Sequence, residues 1–423
     1  VTTSRRGLLL SGLAAGGCWS LGRTPTVLAQ EAQTLPPWTP GTLDIHHIDT
    51  GVGNATFVLA PDGTTILIDC GATRGGPPAS AALRPDESRA AGEWVARYCL
   101  RHARPAERTT LDYIIATHVH PDHVGAPLPG DPRDADGVAL SGLPQVDALM
   151  PARVVIDRGY PNYATLPLID APFARNHRAW LQARMARGRR VERVRVGSRS
   201  QVAPRGRGGF ELRFVAGDGA VWPGQGEGSR AMLADRALWS GGAMPGENHL
   251  SIALTLSCGA FRYFAGGDLS ADTHDGALPW LDVETPVVRA AGPVDVAAAD
   301  HHGYFDASGP AFVKALDADV YIVQAWHATH PAMATLQRME GAWASDSVLR
   351  DVFITRLVAE SRAVNARFLP GLRSTEGHVV VRVRSDGAYR VFVTDSRTEE
   401  DWITHAGAWR RSKHVFRISK MNG

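Results

Sequence analysis

Four side chains able to bind a divalent ion fall within six residues: His118, His120, Asp122 and His123. They lie in the run Thr117-His118-Val119-His120-Pro121-Asp122-His123-Val124-Gly125. Neutral imidazoles and carboxylates are the donors that hard-to-borderline divalent cations take. His118 and His120 are two apart, so on an extended segment they point the same way. Asp122 and His123 follow Pro121 from a turn and can serve a second ion. A polar loop around one structural ion is the competing reading.

The elements that must position this run can be read from the flanking pattern. Leu111–Thr117 is a buried strand that runs straight into the histidines. Leu43–Ile48, Ala55–Ala60 and Thr64–Asp69 read as strands, the last two joined by the turn Pro61-Asp62-Gly63. Val154–Asp157 follows, then Phe210–Val215, Ser251–Leu256, Phe261–Ala265, Val294–Ala299 and Val320–Val323. A closing hairpin spans Gly377–Val383 and Tyr389–Val393, turned at Ser385-Asp386-Gly387. Helical spacing covers Asp86–His102 and Ala171–Arg190, with shorter helices at Gly309–Leu316 and Met333–Met339. Residues 216–248 are Gly-rich and weakly patterned, a candidate loop over the site. Strands in two groups with interspersed helices predict two sheets packed face to face, helices outside.

Composition sets the outer limits. The chain has 423 residues, a formal net charge of +2, 44% hydrophobic and 21% charged residues. That is the profile of a globular protein with a large core, not of a disordered, collagen-like or disulfide-dense chain. The near-neutral balance does not announce a nucleic-acid binder, and no apolar run reaches the roughly 20 residues a membrane span needs. Arg5-Arg6 followed by the Gly- and Ala-rich apolar stretch Leu8–Leu21 resembles a twin-arginine export signal, with cleavage after Ala29. This implies a periplasmic or secreted protein; a lipid anchor at Cys18 is the alternative. Cys70, Cys99 and Cys258 are widely spaced and read as buried thiols, not as a zinc ribbon. The expected division is a signal peptide over 1–29, a Pro-rich linker over 30–42, a hydrolase domain over 43–400 and a tail over 401–423.

The histidine run after a buried strand resembles the metallo-β-lactamase superfamily, and three further segments carry the likeness. Asp69-Cys70-Gly71 closes a strand. Gly266-Gly267-Asp268 follows Phe261–Ala265. Asp300-His301-His302-Gly303 follows Val294–Ala299. The resemblance covers residues 43 to about 335 and implies an α/β fold, the four-layer αβ/βα sandwich, with the site at one sheet edge. It also implies two divalent ions, zinc first, with manganese or iron as alternatives. His118, His120 and a third ligand would hold one ion; Asp122, His123 and a late histidine the other; Asp268 would bridge. The third ligand is His249 or its rival Asn248. Adjacent residues on an extended chain point opposite ways, so one of His301 and His302 is expected to reach metal. Asp69 is expected to hold a ligand histidine in its tautomer. The opening loop His47–Ala55, Asn248 with Ser251, the His301-His302 doublet and His330-Pro331 resemble the hydrolase domain of ComEC-type DNA-uptake proteins. Thr50, Asn54 and Tyr304 depart from that pattern.

Such a pair of ions implies a hydrolase using a metal-bridging hydroxide on a phosphorus or carbonyl centre. Asp122, His302 and His330 are the candidates for the chemical step, with His301 a further possible proton donor and His327 near His330. Nine arginines between Arg184 and Arg207, with Glu192 the lone acid, favour an anionic small-molecule or polymer substrate, nucleic acid included. Tyr160, Tyr163 and Trp180 would stack bases; a solvated, arginine-rich surface is the competing reading. Phosphodiester cleavage leads. Lactone or thioester hydrolysis, and a non-catalytic metal-containing domain that binds a polymer, are the alternatives.

Overall fold

The computed structural model describes residues 33–71, 76–206, 209–234, 236–239, 244–341 and 350–414. The predicted export signal, Cys18, Arg207 and the last nine residues of the tail lie outside them.

Runs of β-branched and aromatic residues form the strands. The first six are β1 (Leu43–His47), β2 (Thr56–Leu59), β3 (Thr65–Ile68), β4 (Leu111–Ala116), β5 (Ala152–Asp157) and β6 (Arg190–Arg193). Next come β7 (Phe210–Gly217), β8 (Ala220–Val221), β9 (Arg230–Ala231), β10 (Ala253–Cys258), β11 (Phe261–Ala265), β12 (Val296–Ala298), β13 (Val320–Val323) and β14 (Asp351–Ile354). The chain then returns with β15 (His378–Val383), β16 (Tyr389–Thr394) and β17 (Ile403–Ala406). They make two sheets. One runs β17-β16-β15-β1-β2-β3-β4-β5-β6, the other β14-β13-β12-β11-β10-β7-β8-β9. Each is mixed: β3 to β6 pair in parallel, as do β11 to β14, and the remaining pairs are antiparallel.

Strand alternation splits the side chains between layers. Ile66, Ile68, Ile115 and Ile156 face Leu254, Tyr263, Val296 and Ile322 in the core between the sheets. Their neighbours Leu67, Ile114 and Val155 face outward. There they meet the helices α1 (Ala91–Ala103), α3 (Leu143–Leu149) and α4 (Pro172–Ala186), while the single turn α2 (Pro121–Val124) lies at the sheet edge. On the far side Phe264, Ala297 and Tyr321 pack against α5 (Glu284–Ala291), α6 (Pro310–Leu316) and α7 (Met333–Met339). The result is helix, sheet, sheet, helix: the α/β four-layer arrangement implied by the sequence resemblance. Among the described residues no helix is long and apolar enough to cross a membrane.

Several boundaries differ from the sequence expectation. α1 starts at Ala91, not Asp86; its charged preceding residues make turns, with Ser88 N–H donating to Asp86. The Arg190 end of the predicted second helix is instead the edge strand β6. Within the Gly-rich stretch, β8 and β9 extend the second sheet. The stretch read as a linker packs where it is described: Leu35 is buried against Val380 and Phe392, and its N–H donates to Asp401 O. The first sheet also runs on past residue 400, where β17 pairs with β16.

Asp401 ties these ends to the helical layer. Its carboxylate accepts Arg101 Nε and Nη2 at 2.8 and 2.9 Å, and lies 3.3 Å from His102 Nε2. Burial opposes its ionisation, but His102 and Arg101 hold the carboxyl well below the usual range. A depressed carboxyl pKa stabilises the fold above the unfolded value, about 4, and that stability is lost as pH falls through the folded value. Asp401→Asn is therefore expected to cost about 1–3 kcal/mol at pH 7. Urea unfolding across pH should show the gap to the unmodified chain narrowing below about pH 4.

Candidate metal centre

The histidine run leaves β4 and enters α2, so its backbone must be held where a strand stops. Two neighbouring segments do this. Asp69, just past β3, accepts Thr117 N–H at 2.8 Å and Thr117 Oγ1 at 2.7 Å. Cys70 N–H donates to His123 O and Asn54 N–H to Asp122 O, both at 2.9 Å. Gly71 approaches so closely that a Cβ there would lie 1.5 Å from Asp122 O. The opening loop thus supports the metal-motif backbone. Asp49 of that loop is buried and paired with Arg356 and Ser396.

These supports set which nitrogen of each ring faces inward. Asp69 Oδ2 lies 2.8 Å from His123 Nδ1, so that nitrogen carries the proton and Nε2 presents a lone pair. That lone pair points at Asp268 Oδ2, 3.1 Å away. Gln324 O takes the proton of His302 Nδ1 at 3.0 Å, leaving His302 Nε2 facing Asp122 Oδ2 at 3.0 Å. Thr117 Oγ1, donating to Asp69, accepts from His118 Nδ1 at 3.1 Å, and His118 Nε2 is turned to His120 Nδ1 at 3.2 Å.

Acceptor therefore faces acceptor in a buried space. One ligand atom from each of Asp122, His123, Asp268 and His302 lies within 4.8 Å of all the others. His123 Nε2, Asp268 Oδ1 and Asn248 Oδ1 are buried without a hydrogen-bond partner. A cation relieves this arrangement, and imidazole with carboxylate is a donor set a divalent metal accepts. The carboxylates draw positive charge to this place. Burial would lower His123, but Asp268, Asp122 and Asp69 overcome it and hold the imidazole well above its ordinary range, so that with no ion bound a proton on Nε2 stands where a cation would. Burial would raise Asp268, but His123, His302 and His301 hold it well below the carboxylate range. Burial, with His123 beside it, keeps His118 well below its ordinary value, hence neutral.

The other candidates take distinct places. His118 Nε2 lies 3.7 Å from Asp268 Oδ2, with His120 beside it, next to the four-residue cluster but outside it. His301 and His302 are not on an extended chain. Both adopt left-handed conformations, φ 45° and 55°, so both rings turn toward the site. His302 joins the cluster; His301 Nε2 stays 3.8 Å from Asp268 and 3.3 Å from Asn248 Nδ2. His249 does not join, because its Nδ1 accepts Gly246 N–H at 3.0 Å; Asn248 is the residue of that turn facing the site. His330 stacks on His302 with ring centroids 4.8 Å apart. Burial and the neighbouring His302 push His330 well below its ordinary value, so it packs as a neutral ring. His327 is turned away, between Thr329 and Pro78.

The arginine stripe is largely spent on acids from other segments. Arg184 pairs with Asp147, Arg187 with Asp134 and Asp136, Arg193 with Asp218, Arg199 with Glu211 and Arg205 with Asp112. Tyr163 and Trp180 are buried in the helix-side core and are not available to stack bases. Two contributors escaped the sequence reading: Asp306 accepts from His301 Nδ1 at 2.6 Å, and Gln324 O orients His302. Ser251, noted there for its resemblance, supports the site through Oγ, which accepts Asp268 N–H at 3.1 Å. Gln324 follows β13 at the same sheet edge as Asp268, a position the strand pattern could have flagged.

Residues 48–126 match the family model of the metallo-beta-lactamase superfamily. No curated protein matches the chain in sequence. Among solved structures, the chain is similar to the metallo-beta-lactamase fold protein YhfI from Bacillus subtilis: 11% identity, TM-score 0.36, 80% of this chain and 99% of that one. It is also similar to unliganded yeast PDE1, with 11% identity, TM-score 0.36 and coverage of 80% and 99%. A motif mutant of a metallo-beta-lactamase from Cronobacter sakazakii gives 13% identity, TM-score 0.30 and coverage of 80% and 93%. The two flanked sheets are consistent with the metallo-β-lactamase fold, and with the Asp/His cluster they support a metal-dependent hydrolase.

Asp69 reaches the cluster only through His123 and Thr117. Asp69→Asn is expected to weaken metal binding by about 10–100-fold. Competition with a chromophoric chelator would measure it; unchanged affinity would mean His123 keeps its tautomer unaided.

Proposed function

We propose that this chain is an exported dinuclear metal-dependent hydrolase that cleaves phosphodiester bonds, akin to the hydrolase domain of ComEC-type DNA-uptake proteins. One observation carries the two-ion reading. Around the buried Asp268 carboxylate, Oδ2 lies 3.7 Å from His118, 3.1 Å from His123 and 3.6 Å from His302, and Oδ1 is left without a partner for a further ion. His118 and His120 would hold one ion, Asp122, His123 and His302 the other, and Asp268 both. Zinc suits these donors, with manganese or iron as alternatives. Bound ions would supply a nucleophile at neutral pH and a clamp for attacking and leaving oxygens.

The residues around the ions have their own work. Asp306 holds the His301 ring with Nε2 toward Asp268. Burial would lower His301, but Asp268 and Asp306 outweigh it and hold it up to about 9. Its place at the edge of the cluster suits it to hand a proton to a leaving group. Asn248 offers a buried carbonyl oxygen beside it. The paired arginines favour the second reading, a lactone or thioester hydrolase, because they leave less cationic surface for a polyanion.

Metal content and turnover of bis(p-nitrophenyl) phosphate test the proposal. Two ions per chain are expected, with turnover falling at least about 100-fold in Asp268→Ala and His120→Ala. Two ions without phosphodiester turnover would move the assignment to lactones and thioesters. One ion or none, with no ester cleaved, would leave a binding domain. Export has its own test: lysines in place of Arg5 and Arg6 should hold the protein in the cytoplasm, and unchanged secretion would refute a twin-arginine route.

A further inference from the structure

Arg158, just after β5, is a fully buried cation. Its Nε donates to Glu247 Oε1, and its Nη2 donates to Glu247 Oε2 at 2.6 Å. Nη1 donates to Asp218 Oδ1 and Nη2 also to Leu166 O, each at 3.1 Å. A guanidinium held by two carboxylates and a carbonyl inside the protein has one geometry available to it, so the Glu247 carboxylate is fixed in place.

That carboxylate has one more partner. Glu247 Oε1 accepts the N–H of Val119 at 2.9 Å. Val119 is the residue between His118 and His120, and its peptide determines how those two rings diverge. The same turn donates a second stitch, Ile252 N–H to Thr117 O at 2.9 Å, and it carries Asn248 against His301. Glu247 comes from the segment before β10, in the opposite sheet from β4. The bond therefore fixes the His118–His120 loop relative to the sheet that brings Asp268.

We infer that Glu247, locked by Arg158, is a positioning residue for the His118/His120 half of the metal centre, joining the two sheets across it. This rests on the reading that His118 and His120 bind an ion. Loss of the carboxylate should loosen that half while leaving Asp122, His123 and His302, which are held by Asp69 and Gln324, as they are.

The test is metal affinity, ion by ion, in Glu247→Ala and Glu247→Gln, by chelator competition and by the visible spectrum of the cobalt-substituted protein. In Glu247→Ala one of two ions should bind about 10–100-fold more weakly, with the other unchanged. Excess metal should restore kcat with KM unaltered. Should the alanine variant unfold, the glutamine variant carries the test. It keeps an acceptor for Val119 but releases Arg158, and the same ion should weaken several-fold. Wild-type affinity for both ions in a folded variant overturns the inference, as does equal weakening of both, which marks a general disturbance. A single ion in the unmodified chain would instead overturn the two-ion reading and this inference together.

Discussion

Lone pairs that point at one another inside a protein are a standing repulsion, and here they define the molecule. Asp122, His123, Asp268 and His302 bring theirs within 4.8 Å, all but the half-buried Asp122 away from water. A cation makes the arrangement favourable; without one, the cluster has to be held by everything around it. That explains why the site is supported by so many backbone contacts and why its histidines have their outer nitrogens committed. Asp69, Thr117, Gln324 and Asp306 each take or give one proton at a defined distance. With the outer nitrogens occupied, the inward ones are left facing the cluster.

Close backbone approach does the rest. Glycine at position 71 and the Asn54 N–H seat the Asp122–His123 peptide against two loops at once. Ser251 does the same for Asp268 from the other sheet. The ligands thus sit at the ends of strands, where side chains can converge, while the peptides behind them are tied down like interior backbone. A site with this support keeps its shape between turnovers, which lowers the reorganisation needed when charge develops on a substrate.

The sequence made part of this legible. The run from His118 to His123 is contiguous, and a strand entering it is visible from Leu111 to Ala116; local pattern suffices. Asp268 was readable through the resemblance, which implies a bridging carboxylate in the Gly-Gly-Asp after β11. Strands in two groups with helices between them foretold the layers. The His301-His302 doublet was harder, because the reasoning assumed extended backbone and the turn is left-handed. His249 and Asn248 are neighbours, and which one faces inward depends on a hydrogen bond to Gly246. The arginine stripe misled for a different reason. Composition counts Glu192 as the only nearby acid, yet Asp112, Asp134, Asp147 and Asp218 arrive from distant segments to neutralise it. Long-range pairing leaves no local trace, and the Arg158–Glu247 pair was missed on the same account.

The strand order has a consequence for how such a chain assembles. β1 lies between β2 and β15, pairing Leu43 with Val383 on one side and Asp44 with Leu59 on the other. The first sheet therefore stays open along one flank of β1 until synthesis has passed residue 383. The ligands follow the same schedule: His118 is made early, Asp268 and His302 much later. A nascent chain can collapse its first half well before the second exists, but it cannot assemble the four-residue cluster until His302 has left the ribosome. Assembly of the centre is thus timed by topology: it waits until both sheets can meet.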